Sequence, residues 1–236
     1  MFEEITAFRH EHKYIEPEIN LISAQKRLQQ IMKIDEHASE KGFYNVRSLY
    51  FDDYHDRYIS ENCDGADERM KWRIRVYDRD SSFISLERKI RKSDLISKQS
   101  CSINRDVLDR IIRKDINVSE SYAPLLNVFI KEMRIHMLHP VTIVEYERIP
   151  YVCREGNTRV TFDRNIRSSP ELDSLLSDNE LQSRPVLLSG HNLMEVKYSG
   201  FLPDHIAHSV EHGRMRRETF SKYYLARKFS YNGGFK

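Results

Sequence analysis

Apolar and polar residues alternate along several segments of this chain, and the alternation predicts β-strands. Successive side chains of a strand point to opposite faces, so residues two positions apart share a face. Eight segments rich in Val, Ile, Tyr and Phe follow this pattern and are bounded by turn-forming residues. They are Thr6–Ile15, Tyr44–Asp52, Arg69–Asp78, Phe83–Lys89, Lys98–Ile103, Val141–Val152, Arg159–Arg164 and Asn192–Tyr198.

A second periodicity, near 3.6 residues, predicts helices between and after these strands. The helical segments are Glu18–Met32, Arg105–Lys114, Tyr122–His139, Asp204–Glu211 and the last segment from Phe220. Alternating strands favour an antiparallel sheet, because the strands of a doubly wound parallel sheet are continuous apolar runs. We therefore predict an α+β fold with helices packed outside an antiparallel sheet.

Length and charge narrow the class of protein. The chain has 236 residues, the size of one domain, and no repeat, low-complexity tract or flexible linker divides it, so we expect a single domain over residues 1–236. Its 38 basic and 36 acidic residues leave a formal net charge of only +2. This near-balance argues against a nucleic-acid binder, whose phosphate contacts usually leave a visible basic excess.

The cysteines and the N-terminal segment indicate the compartment. Cys63, Cys101 and Cys153 are far apart and form no C-x-x-C pair, so we expect neither a disulfide framework nor a structural zinc site. The N-terminal residues are too charged for a secretory signal, and no apolar run approaches the ~20 residues that span a bilayer. These observations predict a cytoplasmic protein without a membrane segment in this chain.

Basic residues occupy every second position of one predicted strand, with apolar residues between them. One face of this strand carries Arg69, Lys71, Arg73 and Arg75. Comparable charged faces recur on other predicted strands: Arg9, Glu11 and Lys13; Glu87 and Lys89; Lys98; Tyr146 and Arg148; Arg159; and Glu195 and Lys197. For any one strand, the ordinary explanation is a solvated outer face. Recurrence over most strands favours a closed barrel whose charged faces converge.

The cations and carboxylates that would point into such a barrel indicate a binding site for an anionic ligand and a metal ion. Many buried cations require a polyanion, because unpaired buried charge is costly, and Arg and Lys are natural holders of phosphate oxygens. The carboxylates have two explanations, local pairing with the cations or binding of Mg²⁺ or Mn²⁺. We predict metal binding for Glu195 and leave both explanations open for Glu11 and Glu87.

An ordered set of short motifs runs through nearly the whole chain. The motifs are RHEHKY from Arg9, SLYFD from Ser48, WRIRVY from Trp72, LERK from Leu86, EYER from Glu145, RVTFD from Arg159, MEVK from Met194 and FSKY from Phe220. The set resembles the VTC domain, the polyphosphate polymerase domain of the vacuolar transporter chaperone complex and its bacterial relatives, among the triphosphate tunnel metalloenzymes. The resemblance implies a closed antiparallel β-barrel tunnel of about eight strands, with helices outside and a C-terminal helix.

The resemblance also implies an activity and its residues. The activity would be transfer of the ATP γ-phosphate to a growing polyphosphate chain with Mn²⁺ or Mg²⁺, so the partners are ATP and polyphosphate or triphosphate. The positions that resemble the phosphate-binding lining are Lys13, Arg73, Arg75, Lys89, Lys98, Tyr146, Arg148, Arg159, Lys197, Ser221 and Lys222. Those predicted to act in catalysis are Arg73, Arg75, Lys89, Arg159 and the metal-binding Glu195.

The chain departs from the family pattern at its first motif, and other functions remain open. The wider superfamily often begins with Glu-x-Glu-x-Lys, whereas Arg9 replaces the first Glu here, which suits polymerase-type members and removes one metal ligand. The SPX domain and membrane helices of the eukaryotic complex are not in this sequence, so membrane translocation would need a separate membrane partner. Hydrolysis of tripolyphosphate or a nucleoside triphosphate, and non-catalytic polyphosphate sensing, are the alternatives.

Overall fold

The computed structural model describes residues 3–5, 7–38, 40–210 and 215–232. Within these ranges the strands are β1 Glu3–Ile5, β2 Arg9–Pro17, β3 Lys33–Ile34, β4 Tyr44–Asp52, β5 Glu68–Tyr77, β6 Ile84–Lys92, β7 Leu95–Ile103, β8 His139–Cys153, β9 Thr158–Ser169, β10 Arg184–Pro185 and β11 His191–Tyr198. The helices are α1 Glu18–Leu28, α2 Arg57–Cys63, α3 Arg105–Ile112, α4 Pro124–Ile135, α5 Asp204–Val210 and α6 Lys222–Asn232.

Eight of these strands close into an antiparallel barrel. Hydrogen bonding joins them in the order β9, β11, β2, β7, β6, β5, β4 and β8, and β8 pairs back with β9. The seam between β2 and β7 is short, with Arg9 opposite Ile96 and His10 opposite Leu95. These eight strands correspond to the eight predicted from alternation, so the predicted closed barrel with outer helices is confirmed.

The strand register turns the charged faces toward one another inside the barrel. Residues directly opposite in a ladder share a face. Arg73 of β5 lies between Tyr50 of β4 and Glu87 of β6, and Glu195 of β11 lies opposite Lys13 of β2. Because a strand alternates, the residues between these charged positions point outward and form the apolar surface on which the helices pack.

The apolar outer face is covered by helices on two sides of the barrel. On one side, the Phe129 ring of α4 lies 5.0 Å from the Phe51 ring and 5.1 Å from the Trp72 ring, measured between centroids. On the other side, Leu21 of α1 and Ile206 of α5 belong to a second buried cluster with outward residues of β9 and β11. None of the helices in the described ranges has the length and apolar character needed to cross a bilayer.

The element boundaries differ from the predicted ones for local reasons. The helix predicted for Tyr122–His139 begins at Pro124, since proline is favoured in the first turn, where its missing N–H costs nothing. The first helix ends at Leu28 instead of Met32. Helix α2 was not predicted, because its seven residues are too few to show a helical period. Thr6 and Glu211, at the ends of two predicted elements, lie outside the described residues.

Replacement of Phe129 by Ala tests how much the helix layer stabilises the barrel. Phe129 is fully buried between Phe51 and Trp72, so we expect Phe129→Ala to lower the free energy of unfolding by about 3–5 kcal/mol. Urea unfolding followed by fluorescence measures this, because Trp72 is the only tryptophan in the chain. Phe201→Ala is the control, since that side chain is 63% exposed, and its effect is expected within about 0.5 kcal/mol. Equal effects of the two changes would contradict the packing described here.

Candidate functional site

A cavity of about 220 Å³ lies inside the barrel, beside the start of α6. Its lining is strongly basic, because ten Lys and Arg side chains from five strands and α6 face it, against one carboxylate among the described lining residues, Glu195. The ten basic residues are Lys13, Arg69, Lys71, Arg73, Arg75, Lys89, Arg91, Arg148, Lys197 and Lys222. This excess of positive charge in a confined volume is the main electrostatic feature of the protein.

Glu195 is surrounded by cations. Its Oε1 accepts a hydrogen bond from Lys222 at 3.0 Å, and its Oε2 accepts one from Lys197 at 2.8 Å and one from Arg148 at 3.5 Å. Burial alone would raise the pKa of Glu195, but Lys197 and Lys222 outweigh burial, so the pKa lies well below its ordinary value. Glu195 is therefore ionised and a weak base.

A second buried carboxylate, Asp163, fixes the start of α6 against the barrel. Arg148 donates two hydrogen bonds to Asp163, both of 2.7 Å, and the Lys222 amine lies 2.7 Å from Asp163 Oδ2. Lys222 also lies 4.8 Å from the centre of the Tyr146 ring, a cation–π distance. Because Lys222 bridges Asp163 and Glu195, α6 is held in place by charge as well as by packing.

The two neighbouring arginines of β5 are held by different partners. Arg73 donates to Glu87 at 2.6 Å and to the Tyr50 hydroxyl at 3.2 Å. Arg75 donates to Ser48 Oγ at 3.1 Å and to the Tyr146 hydroxyl at 3.0 Å. Burial alone would lower the pKa of Arg73, but Glu87 outweighs it and raises the pKa well above its ordinary value. Both guanidinium groups are therefore charged and fixed before any ligand arrives.

Glu11 of β2 links lysines of β2 and β6 that belong to the lining. Lys89 donates to both of its oxygens, at 2.9 and 3.0 Å, and Lys13 lies 3.0 Å from Oε1. Lys13 also donates to the Phe220 carbonyl at 2.7 Å. Burial would raise the pKa of Glu11, but Lys13 and Lys89 hold it well below its ordinary value.

The structure brings together most of the residues that the sequence singled out. The predicted residues that line the cavity are Lys13, Arg73, Arg75, Lys89, Tyr146, Arg148, Glu195, Lys197, Ser221 and Lys222. Lys98 is not in the lining and lies 3.4 Å from Glu87 Oε1. Arg159 is also outside it, because its guanidinium is 2.9 Å from Asp35 and 2.9 Å from the Tyr44 hydroxyl. The phosphate-binding roles of all these residues stay predictions.

The sequence analysis missed several residues of the site. Lys71 and Arg69 stand on the same face as Arg73 and Arg75, so the pattern contained the signal although neither was assigned a role. Asn62 also lines the cavity, but it lies on α2, the helix that the sequence did not predict. Asp163 stands on the same strand face as Arg159, so the alternation contained its signal, but nothing in the sequence indicated its pairing with Lys222, which comes from a distant part of the chain.

Glu195 is the residue of the lining that could hold a divalent metal. No three His, Cys, Asp or Glu side chains in the described ranges are grouped as a metal cage. Mg²⁺ is commonly bound through one or two carboxylates plus phosphate oxygens of the substrate, and a single carboxylate that faces the cavity fits that mode. Glu11 and Glu87 fit it less well, because neither belongs to the described lining of the cavity.

Solved structures share this barrel. A putative adenylyl cyclase from Hippeastrum, reported to have a dominant triphosphatase activity, aligns over 94% of this chain and 96% of its own, at 10% identity and a TM-score of 0.55. A putative adenylate cyclase from Bacillus halodurans aligns over 89% of this chain and 87% of its own, at 12% identity and a TM-score of 0.50. At such identities the similarity shows the fold alone, which is that of the triphosphate tunnel proteins.

The family is shown by sequence. The VTC domain model matches residues 8–231, so the chain belongs to the VTC domain family. A search of curated protein sequences found no match. Family and fold together support a tunnel protein of polyphosphate or triphosphate chemistry, a class that generally uses divalent metals.

Replacement of Asp163 by Asn tests the charge network. Asp163→Asn removes the carboxylate nearest to Arg148 and Lys222 and leaves them only the more distant Glu195, so we expect a loss of about 3–5 kcal/mol in unfolding free energy near neutral pH. Burial would raise the pKa of Asp163, but Arg148 and Lys222 lower it below its unfolded value. Its stabilisation is therefore present above about pH 4 and lost as pH falls through the folded pKa.

Urea unfolding of both proteins over the acid range measures this effect. The unfolding free energy of the wild type is expected to fall more steeply with acid than that of the variant. Asp94→Asn is the control, because the Asp94 side chain is 92% exposed and its loss is expected to cost no more than about 0.5 kcal/mol. Parallel pH profiles for Asp163→Asn and the wild type would rule out the proposed coupling.

Proposed function

We propose that this protein is an ATP-dependent polyphosphate polymerase that transfers the γ-phosphate of ATP to the end of a polyphosphate chain inside the barrel. The observation that carries the proposal is the cavity with ten Lys and Arg side chains and one carboxylate on its described lining. Membership of the VTC domain family supports the substrate class. Phosphoryl transfer requires mainly positioning and charge stabilisation from the protein, and a fixed basic lining supplies both.

The step needs no protein nucleophile. A terminal oxygen of the acceptor chain attacks the γ-phosphorus in line and forms a new P–O bond. The bond between the γ-phosphorus and its bridging oxygen breaks, and ADP leaves with the electron pair. Arg73 and Arg75 are positioned to bind the oxygens that gain charge, while Lys222 brings a third cation from α6. Because Arg73 and Arg75 are already fixed by hydrogen bonds, little reorganisation is needed when the charge develops.

Glu195 is the residue proposed to hold Mg²⁺ or Mn²⁺ together with substrate phosphate oxygens. The metal would supply additional positive charge to the transferring phosphoryl group. In the protein alone, Lys197 and Lys222 occupy the Glu195 oxygens, so a metal would have to share this carboxylate with them.

The state of the carboxylates favours transfer over hydrolysis. Attack by water gains from a general base with a pKa near the working pH, whereas the end of a phosphate chain is already anionic. Glu195 and Glu11 have strongly lowered pKa values, because several cations surround each of them. Neither is suited to take a proton from water. Triphosphate hydrolysis, reported for the structural neighbour from Hippeastrum, is therefore the second candidate.

Product analysis with purified protein tests the proposal. We expect ATP with Mn²⁺ or Mg²⁺ to give ADP and long chains, detected by gel electrophoresis and phosphorus NMR. We expect Arg73→Ala and Glu195→Gln each to lower the rate by about 10²-fold or more, since each removes part of the fixed electrostatic environment. Arg105→Ala and Glu120→Gln are the matched controls, because both residues are exposed away from the cavity, and wild-type rates are expected for them.

Each other outcome points to a different function. Orthophosphate as the only phosphate product would replace the polymerase by a hydrolase. Tight polyphosphate binding without turnover would replace it by a sensor. Wild-type rates for both Arg73→Ala and Glu195→Gln would remove the assigned roles of these two residues.

A further inference from the structure

Lys71 lies where strand β5 meets helices α2 and α6. Its amine lines the cavity and donates hydrogen bonds to Asn62 Oδ1 at 3.1 Å and to Ser221 Oγ at 2.8 Å. It also lies 5.4 Å from the centre of the Tyr223 ring. All three neighbours are neutral groups. Among the described residues, no carboxylate lies within ion-pair distance of Lys71, unlike its neighbour Arg73, which is paired with Glu87.

The strongest charges that act on Lys71 are all positive. They come from β2, β5 and β6, namely Lys13, Arg69, Lys89 and Arg91. The titratable groups of the lining on the side of α2 and α6 are Cys63, Lys222, Tyr223 and Tyr224, and Lys222 is paired with Asp163 and Glu195. Glu195 shares the cavity, but Lys197 and Lys222 bind its oxygens. Burial first, and then the four cations, lower the pKa of Lys71 well below its ordinary value.

The hydrogen-bond partners of Lys71 tolerate either charge state. The Ser221 hydroxyl accepts a hydrogen bond from the Tyr224 backbone N–H and can donate its own hydrogen to the lone pair of a neutral amine. An ammonium group can instead donate to Ser221 and Asn62. The geometry is therefore compatible with a lysine that gains its proton without a rearrangement of β5 or α6.

We propose that Lys71 is a further phosphate-binding residue of this cavity and that it takes up a proton when a polyphosphate or triphosphate chain binds. The inference rests on the proposed function, because it requires a polyanion in the cavity. Phosphate oxygens supply the negative charge that no described carboxylate gives to Lys71. The proton passes from solvent to Nζ, and the ammonium then donates a charge-assisted hydrogen bond to the chain.

Proton uptake makes binding depend on pH in a defined direction. The complex carries more protons than the separate protein and ligand, so affinity rises as pH falls. The rise extends over the window between the lowered pKa of Lys71 in the free protein and its higher pKa in the complex. An arginine at this position stays charged throughout, because its intrinsic pKa is too high to titrate there.

Calorimetric titration with tripolyphosphate tests the proposal. Binding is measured for the wild type, Lys71→Arg and Lys71→Met at a mildly alkaline pH in two buffers with different ionisation enthalpies, which gives the number of protons taken up. We expect the wild type to take up more protons than Lys71→Arg, by up to about one per bound chain. We expect Lys71→Met to bind tripolyphosphate about tenfold more weakly than the wild type and to take up fewer protons than the wild type by the same amount as Lys71→Arg. Tripolyphosphate can itself change its number of bound protons on binding, but this contribution is common to the wild type and the variants and cancels in the difference between them.

The controls separate this inference from the proposed function. Lys92→Met removes an exposed lysine of β6 whose partner is Glu68 at 3.1 Å, and we expect it to match the wild type in affinity and proton uptake. If the wild type fails to bind tripolyphosphate, the proposed function is wrong. If it binds, but Lys71→Arg takes up as many protons as the wild type, the proposal for Lys71 is overturned and the proposed function stands. A circular-dichroism melt confirms that each variant is folded.

Discussion

The structure depends on how a closed barrel accommodates more cations than carboxylates in its interior. Inward charge cannot be solvated as it would be on an open sheet, so each carboxylate has to offset several cations. Glu11 is shared by Lys13 and Lys89, and Glu195 is shared by Lys197 and Lys222. These contacts stabilise the lining but leave an excess of positive charge that only an anionic ligand can offset.

Strand register decides which cations have a carboxylate partner. On β5, Arg73 faces Glu87 of β6, whereas Lys71, two residues earlier, faces Lys89. Glu87 raises the pKa of Arg73 against the effect of burial, whereas burial first, and then Lys13 and Lys89, lower the pKa of Lys71. Two cations on one face of one strand therefore differ in chemistry, although their sequence context is nearly the same. The lining therefore combines arginines that stay charged with lysines of lowered pKa, among them Lys197, whose pKa burial lowers to about 7.

The sequence was sufficient to predict the barrel but not these pairings. Alternation is local to each strand, so the eight strands and their inner faces follow from the order of residues alone. The partner of an inward side chain depends on which strands become neighbours and in what register, which no single strand encodes. Arg159 illustrates the limit, because its partner Asp35 lies outside the predicted strands. Lys71 shows the same limit. It stands on the same strand face as Arg73 and in the same alternating pattern, but its cross-strand neighbour is Lys89, whereas that of Arg73 is Glu87.

Barrel geometry explains why the interior suits a chain of phosphates. Inward side chains are spaced by two residues along a strand, roughly 6.6 Å, and neighbouring strands lie about 4.8 Å apart. Because the barrel is closed, these cations surround the cavity. A linear polymer with a charge on every unit can therefore contact cations on several sides at once. A flat basic surface would contact only one side of such a polymer. Lys222 adds a cation from α6, and its bonds to Asp163 and Glu195 keep that cation in place. A charged strand face that would be ordinary on an open sheet thus becomes, through closure, part of an enclosed basic cavity, and the proposed binding of a linear polyanion depends on that enclosure.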